Sequence, residues 1–504
     1  MNPRALLAFW ILLAVIGARP ATVSGIDSEH WYEFSIAEVP CGYLHRSVST
    51  EAGVCLTTTL ECLHIERNGV PVRLESRHLF EETTEGIPLR ASFSQEGAEG
   101  ARTSTLVFEG DRILITTTRG SGAPSRSVRP DPGGWLTPRG VVAHLRDRIA
   151  SGAERIEYRV LRSSGVPGTT QQIRMHRLDS NTPSTSSGGT EPTCWEVHRE
   201  GEALALQEWR SPTGLLVESR METGIGPIMS SLTDRARALS SMEGPAFELM
   251  RSTLVEVPSM PRASDRIVTA GYRVRLEPLP GGAGRIPISA GAQRVRAIGE
   301  SLYEFEIDAS RGSPADPGEL ANPAFSSSSQ AIDSSDPEII EFTRRALEGA
   351  SADQLERAEC LRVAVDHHVS RKSLSSALES ASQVVRSRSG DCTEHAMLLA
   401  AALRSDGIPS RVAIGLVHVE LGGGTPAAFA WHMWTQGLID GTWYDFDSTR
   451  RNRFDGGHLL VAVDAGSDEG GGPRMSALLG LVGRISIELF MLDGVAVGDS
   501  RDAP

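Results

Sequence analysis

The sequence lacks an excess of positive charge. Lys and Arg together number 50 of the 504 residues, whereas Asp and Glu number 64, so the formal net charge is −14 at pH 7. Proteins that bind nucleic acid concentrate Lys and Arg on the surface that meets the phosphates, and no basic stripe is present here. We therefore exclude nucleic acid as a partner. The length predicts a soluble chain of two or three domains.

Long apolar runs are also scarce. The run Ala5 to Gly17 follows Met1-Asn2-Pro3-Arg4 and precedes small residues at Ala18 and Ala21. It is shorter than the roughly 20 residues that a membrane-spanning helix needs. This order of charge, apolar run and small residues is typical of a secretory signal peptide, which we predict over residues 1–25. The mature chain is then exported, periplasmic or extracellular, with no integral membrane span, and an uncleaved anchor is the alternative.

Cysteine is sparse, and no spacing typical of a metal site is present. The six cysteines are Cys41, Cys55, Cys62, Cys194, Cys360 and Cys392. In an oxidising compartment the first four could form one or two disulfides, whose connectivity the sequence does not define. Cys55 and Cys62 do not have zinc-finger spacing, and no suitable His pair follows them. We predict no metal site.

The N-terminal half is rich in short β-forming segments separated by Gly, Pro and Ser. We predict a β-rich region of one or two domains over residues 26–310, with helices at 139–150 and 228–239. The Ser- and Pro-rich stretch 311–335 predicts a linker.

A second domain is predicted over residues 336–465. Its helices are expected at 337–348, 352–369 and 374–386, the first of them after a capping candidate and a Pro. Residues 466–504 are predicted to be a Gly-rich loop followed by a C-terminal segment that packs on the domain.

One cysteine opens a predicted helix. Ser389-Gly390-Asp391 is a turn signal, and Cys392 then begins an apolar face with the spacing of a buried helix. The helix dipole and the unpaired N–H groups at that end favour a thiolate over a thiol, and they leave a backbone donor for an oxyanion. A nucleophilic thiolate needs a base, so a histidine should lie nearby.

A predicted hairpin supplies the histidine. Asp440-Gly441 is a tight-turn signal between two aromatic-rich strands. If Ile439 pairs with Thr442, then His432 and Asp447 are diagonal neighbours on one face, about 7–8 Å apart at the backbone. The hairpin thus predicts a His oriented by a carboxylate. Trp434 shares the face of His432 and could shield the pair, although core packing is an equally simple role.

These motifs resemble those of the transglutaminase-like superfamily of papain-type thiol enzymes. The segments that carry the resemblance are Gly390 to Ala396, Gly407 to Arg411, His432 to Trp434 and Trp443 to Thr449. The resemblance spans about residues 336 to 460, with Ser448 at a position where the family usually has Pro. It implies an α+β fold in which the Cys helix packs on an antiparallel sheet. It also implies a catalytic triad of Cys392, His432 and Asp447.

The resemblance implies chemistry through a Cys thioester at an amide bond of a protein or peptide. No cofactor is required. Because no calcium loop is evident, we expect hydrolysis, as in a cysteine protease or amidase, over transfer to an amine, as in a transglutaminase. Amides of glycans or cell-wall peptides are an alternative substrate. A non-enzymatic envelope protein that uses the fold as a binding or assembly scaffold is the competing hypothesis, and a disulfide between Cys360 and Cys392 would favour it. The oligomeric state is not defined by the sequence.

Overall fold

The structure is a computed structural model of the 504-residue chain. It describes residues 26–67, 69–97, 100–119, 124–162, 167–179, 191–202, 204–244, 246–257, 260, 266–277, 288–372, 380–420, 427–450, 453–466 and 481–497. The predicted signal peptide at 1–25 lies outside these residues.

The N-terminal sheet contains 15 strands. Its strands in chain order are β1 (Ser28–Ile36), β2 (Val39–Glu51), β3 (Val54–Arg67), β4 (Val70–Thr83), β5 (Pro88–Gly97), β6 (Gly100–Glu109), β7 (Arg112–Arg119), β8 (Ser125–Pro130), β9 (Arg155–Leu161), β10 (Thr170–Arg177), β11 (Thr193–Arg199), β12 (Leu206–Arg210), β13 (Leu216–Thr223), β14 (Gly226–Thr233) and β15 (Phe247–Glu248). Neighbours in sequence pair antiparallel from β1 to β8 and from β9 to β14, and β1 pairs with β14. Three helices belong to this part of the chain: α1 (Pro138–Ala150), α2 (Arg235–Ser240) and α3 (Leu249–Ser252).

Two further sheets follow. The C-terminal sheet is formed by β16 (Val255–Glu256), β20 (Ser313–Pro314), β23 (Ser410–Val419), β24 (Ala428–Ile439), β25 (Thr442–Phe446) and β26 (His458–Asp464). The five-stranded sheet is formed by β17 (Thr269–Leu276), β18 (Gln293–Gly299), β19 (Leu302–Asp308), β27 (Ile485–Leu492) and β28 (Val495–Ala496). β21 (Arg371–Lys372) and β22 (Ser389–Gly390) pair with each other alone.

The remaining helices precede or pack on the C-terminal sheet. They are α4 (Pro317–Leu320), a 3₁₀ turn (Pro323–Phe325), α5 (Pro337–Ala346), α6 (Gln354–His368), α7 (Ala381–Ser387) and α8 (Cys392–Ser405). Every residue of α8 from Glu394 to Arg404 is buried. A helix that is apolar on all sides is typical of a core position. Its side chains pack with those of α5 to α7 and of β23 and β24 in one cluster, so α8 joins the helices to the sheet. The α+β class is confirmed.

The helix predicted at 228–239 is wrong over most of its length. Residues Gly226–Thr233 form β14, and a helix exists only at Arg235–Ser240. The strand pairs on both edges, with β1 and with β13, so tertiary hydrogen bonding outweighs the modest helical spacing. Asp234 then begins the short helix, since its side chain accepts the N–H of Arg237 at 2.9 Å.

The stretch 311–335, predicted as a linker, makes specific contacts with the C-terminal sheet. Ser313 pairs with Trp443, which adds β20 to that sheet. Glu319 forms an ion pair with buried Arg411 and accepts the indole N–H of Trp443 at 3.1 Å. The chain after residue 466 also returns, since β27 pairs with β17 of the N-terminal half. The division into domains remains a prediction.

All six cysteines are free thiols. The disulfides left open for the N-terminal four do not form in this structure, and Cys360 is not joined to Cys392. In the described part of the chain, no helix combines the length and apolar character needed to span a membrane.

Candidate active site

Cys392 is the first residue of α8, as predicted. Asp391 caps the helix: its carboxylate accepts the N–H of Thr393 at 2.8 Å. Glu394 reaches back and accepts the N–H of Asp391 at 2.9 Å, which completes a capping box. These bonds hold the turn that carries the thiol. Cys392 itself is half-buried, so it is accessible from one side.

Glu394 and His395 have structural contacts in this turn. Burial raises the pKa of Glu394 to about 8, and the nearby Asp391 carboxylate adds to the shift. The ring of His395 bonds the Asp391 carbonyl at 3.0 Å, and its own carbonyl accepts the Ser448 hydroxyl at 3.2 Å. Both residues therefore tie the Cys turn to its surroundings.

Gly390 is needed because the turn leaves no room for a side chain. An added Cβ would collide with the Cβ of Glu394 and lie 2.9 Å from its Cγ. We expect Gly390→Ala to displace Glu394 and lower the free energy of unfolding by about 1–3 kcal/mol. Urea denaturation measures this change. Gly244→Ala is the matched control, since nothing lies within 4 Å of its added Cβ, and should change stability by less than about 0.5 kcal/mol. Equal losses in the two variants would contradict the steric argument.

The hairpin has the predicted register. Ile439 pairs with Thr442, and the ladder continues to the pair of Thr435 and Phe446. Asp440 and Gly441 both have positive φ, at 48° and 73°, the conformation of the expected tight turn. This register places His432 and Asp447 together.

His432 and Asp447 form a hydrogen-bonded pair. Nε2 of His432 lies 3.0 Å from Oδ2 of Asp447, and the Asp447 side chain has no exposed surface. Burial lowers the pKa of His432, but the Asp447 carboxylate and a hydrogen bond with Cys392 outweigh it and raise the pKa to about 9. The Cys392 thiol and the Asp447 carboxylate therefore both act on this imidazole. The structure brings together all three predicted residues.

Asp447 accepts from more than one partner. Oδ1 accepts the N–H and the hydroxyl of Thr449 at 2.9 and 2.7 Å, while Oδ2 is shared by His432 and His458. Burial acts to raise the pKa of Asp447, but the two imidazoles hold it well below its usual range. Arg362, buried in α6, donates to the carbonyls of Asp447 at 3.3 Å and Arg450 at 2.7 Å, and so fixes this strand exit. The carboxylate is therefore both ionised and held in place.

His458 is the residue whose role the sequence did not define. Its Nε2 lies 3.1 Å from Oδ2 of Asp447, and its Nδ1 lies 3.1 Å from Oδ1 of Asp455. Burial lowers the pKa of His458, but the two carboxylates outweigh this and raise it. Asp455, three residues earlier, is in turn bound by Arg450 at 3.0 Å. The short spacing from Asp455 to His458 was the available signal, but only the fold shows that the ring reaches Asp447.

We expect His458 to act by positioning Asp447. His458→Leu removes one donor from the carboxylate and should lower the rate of amide hydrolysis about tenfold. His458→Gln keeps a side-chain N–H and should recover part of the loss, which a purely volumetric effect would not produce. Initial rates of amide hydrolysis by the wild type, His458→Leu and His458→Gln at pH 7 measure these differences. A Gln variant as slow as the Leu variant would contradict the hydrogen-bonding role.

The same cluster has the composition of a metal site. Ligand atoms of His432, Asp447 and His458 all lie within 4.8 Å of one another. The two contacts to Asp447, at 3.0 and 3.1 Å, have the length of hydrogen bonds, so a proton in each gap satisfies the groups without a cation. The absence of a resident metal remains a prediction.

Trp434 is buried beside the two imidazoles. Its ring stacks on His432 with 6.2 Å between centroids and meets His458 edge-on at 5.4 Å. Its indole N–H donates to Oδ1 of Asp445 at 2.7 Å, a contact that the sequence analysis missed. Gly415, opposite His432 on β23, leaves space for this ring, since an added Cβ would lie 2.8 Å from it. The position is compatible with shielding, which remains a proposal.

One family model and several solved structures are similar to parts of this chain. Residues 340–448 match the family model of the transglutaminase-like superfamily. One similar solved structure is a candidate cysteine protease from Cytophaga hutchinsonii, with 12% identity, a TM-score of 0.26, and coverage of 47% of this chain and 89% of that chain. Another is the periplasmic domain of TgpA from Pseudomonas aeruginosa, with 16% identity, a TM-score of 0.24, and coverage of 37% of this chain and 91% of that chain. A β-barrel-like protein of unknown function from Brucella abortus is also similar, with 8% identity, a TM-score of 0.31, and coverage of 41% of this chain and 94% of that chain. A search of curated proteins finds no match.

Proposed function

Residues 340–448 carry the core of the transglutaminase-like superfamily, and from this premise we propose that the chain is a Cys-His-Asp thiol hydrolase acting on amide bonds of proteins or peptides. The observation that carries the proposal is the 3.0 Å hydrogen bond between His432 and Asp447, with Cys392 at the start of α8 acting on the same imidazole. A thiol, a base and an orienting carboxylate in this order are the requirements of nucleophilic catalysis at a carbonyl.

The proposed reaction has two steps. The Cys392 thiolate attacks the amide carbonyl, and the helix N-terminal N–H of Cys392 stabilises the oxyanion. The C–N bond then breaks as the His432 imidazolium gives its proton to the leaving amine, which leaves a thioester on Cys392. Neutral His432 next removes a proton from water, which attacks the thioester and releases the acid and the thiolate. Asp447 keeps Nε2 of His432 protonated throughout, so Nδ1 is the nitrogen that faces the reaction.

Water and an amine would enter at the same stage, so one assay should distinguish them. The purified chain is incubated with casein and dansylcadaverine, and released peptides, ammonia and protein-bound dansyl groups are measured. We expect peptides or ammonia without bound dansyl, and a loss of at least about 10³-fold in Cys392→Ala. Dansyl incorporation would instead support amine transfer. If the wild-type chain gives no more peptide, ammonia or bound dansyl than Cys392→Ala, the result would contradict the enzyme hypothesis and favour the binding-scaffold hypothesis.

We also propose that the mature chain acts outside the cytoplasm. The support is the order of charge, apolar run and small residues in positions 1–25. N-terminal sequencing of the chain recovered from the periplasm or medium would test this. A mature N-terminus near residue 26 supports export, and recovery of the uncleaved chain from the cytoplasm contradicts it.

A further inference from the structure

A cavity of about 220 Å³ lies in the N-terminal half, lined by side chains from a different sheet than the one that carries His432 and Asp447. Strands β2 to β5 contribute one wall, and α1 and β9 contribute another. Nothing in the proposed thiol chemistry uses this space.

Most of the lining is apolar and aromatic. Phe80, Phe93, Trp135, Leu136 and Val141 contribute to the walls. The rings of Phe80 and Trp135 meet edge-on at 6.1 Å, so this part of the wall has a defined shape. Such walls favour a hydrocarbon or aromatic group over water.

The polar lining residues lie together. Arg46 is directly opposite Thr59, and Thr59 is directly opposite His78, so the three form one row across β2, β3 and β4. Thr57 lies two residues before Thr59, on the same face of β3. Its side chain is 4% exposed, and its hydroxyl has no hydrogen-bond partner among the described residues. A buried hydroxyl without a partner is costly, and a polar ligand atom in the cavity would supply one.

Arg46 brings positive charge to this polar row. Within the described residues its guanidinium forms no hydrogen bond or ion pair. Burial lowers the pKa of Arg46 and nearby Arg210 adds to that shift, whereas Tyr32 and the buried Glu82 carboxylate oppose it. Arg210 already has a partner, since Glu208 binds it at 2.6 Å. Arg46 is therefore a partly buried cation with free donors at one end of an apolar cavity, which is the arrangement that binds the head of an anionic amphiphile.

The volume limits the ligand. At about 220 Å³ the cavity is smaller than the roughly 300–1,000 Å³ of pockets that hold drug-sized ligands, so we expect a small molecule. We propose that this cavity binds a small amphipathic carboxylate, its carboxylate on Arg46 and the Thr57 hydroxyl and its short apolar tail against Phe80, Trp135 and Val141. This site is independent of the thiol enzyme proposal.

Calorimetric titration of the full mature chain tests the proposal with three probes. Octanoate has both the carboxylate and the tail, 1-octanol lacks the charge, and acetate lacks the tail. We expect saturable one-to-one binding of octanoate, and binding at least about tenfold weaker for octanol and acetate. No saturable binding of octanoate, or equal affinity for octanol, would overturn the proposal.

Three variants locate the binding. Arg46→Met keeps the apolar stem and should weaken octanoate binding about tenfold or more, and Val141→Phe should fill the cavity and abolish binding. Arg77→Met is the matched control, because Arg77 is exposed on β4 and its guanidinium binds only Glu75 among the described residues. The affinity of this variant for octanoate should be unchanged. Unchanged binding in Arg46→Met would overturn the assignment.

Thr57→Val separates ligand binding from folding. Since none of the described residues bonds to this hydroxyl, its removal should raise or preserve the melting temperature of the ligand-free protein while weakening octanoate binding. A lowered melting temperature with unchanged affinity would show that the hydroxyl serves the fold and not a ligand.

Discussion

Iodoacetamide should alkylate Cys392 at pH 6 in the mature protein, and His432→Ala should slow this reaction about 100-fold. An ordinary thiol has a pKa of about 8.5, so at pH 6 only about 0.3% of it is thiolate. In the wild-type protein the imidazolium of His432, whose pKa is raised to about 9, can pair with the thiolate. The substitution removes that cation, so a thiolate at Cys392 loses its partner. Peptide mass spectrometry measures the alkylation rate of Cys392 from pH 5 to 9.

Cys360 is the internal control for this experiment. It is also a free, partly exposed thiol, but it lies in the middle of α6. The alkylation rate of Cys360 should be the same in the wild-type protein and in His432→Ala at every pH. A Cys392 profile that His432→Ala leaves unchanged would remove the foundation of the thiol enzyme proposal, and the scaffold hypothesis would then be preferred.

Asp447→Asn should damage both stability and reactivity. The carboxylate is fully buried between two imidazoles, so its removal leaves two buried cations without their shared anion. Breaking a buried ion pair in this way costs about 3–5 kcal/mol of unfolding free energy. The amide also permits the wrong tautomer of His432, for which losses of about 10⁴-fold in rate are known in Ser-His-Asp enzymes. Urea denaturation and the alkylation rate of Cys392 at pH 6 measure the two effects.

The stability effect has a defined pH window. The depressed pKa of Asp447 stabilises the fold above the ordinary Asp value of about 3.9, and this contribution is lost as pH falls further. The raised pKa of His432 stabilises the fold below about 6.5 in full, and this contribution is lost as pH rises through about 9. The difference between wild type and Asp447→Asn should therefore be largest near pH 5–6 and should shrink toward either extreme.

Asp111→Asn is the matched control for this comparison. The Asp111 side chain is 98% exposed in a turn of the N-terminal sheet, so its change should alter stability by less than about 0.5 kcal/mol at every pH. The shared-anion arrangement would be contradicted if Asp447→Asn lost no more unfolding free energy than Asp111→Asn, or if that loss did not vary with pH.

The shared carboxylate also bears on how the site would work. His458 and Asp455 lie behind Asp447, so Asp447 has a charged partner even when His432 has given up its proton. A buried carboxylate with no such support would tend to take up a proton itself. The second histidine thus helps to keep Asp447 anionic through both steps of the proposed reaction.

The local elements of the site were determined by the sequence alone. The Gly-Asp turn and the apolar spacing after Cys392 define the start of α8, because capping and helical periodicity are local properties. The Asp440-Gly441 turn defines the register that joins His432 to Asp447, because a two-residue turn leaves one pairing. The β14 strand shows where such local reasoning failed, since its pairing with strands on both edges outweighed the helical spacing.

The contacts between distant segments were decided only by the tertiary structure. His458 reaches Asp447 because β26 pairs with β23, while Arg362 arrives from a helix some 85 residues before the carbonyl that it binds. The C-terminal strand β27 joins β17 across more than 200 residues, and the stretch 311–335 is held by Arg411 and Trp443. None of these has a short-range pattern. These contacts depend on which buried polar groups lie within hydrogen-bonding distance in the folded core. The spacing of residues in a single sequence does not specify those pairs.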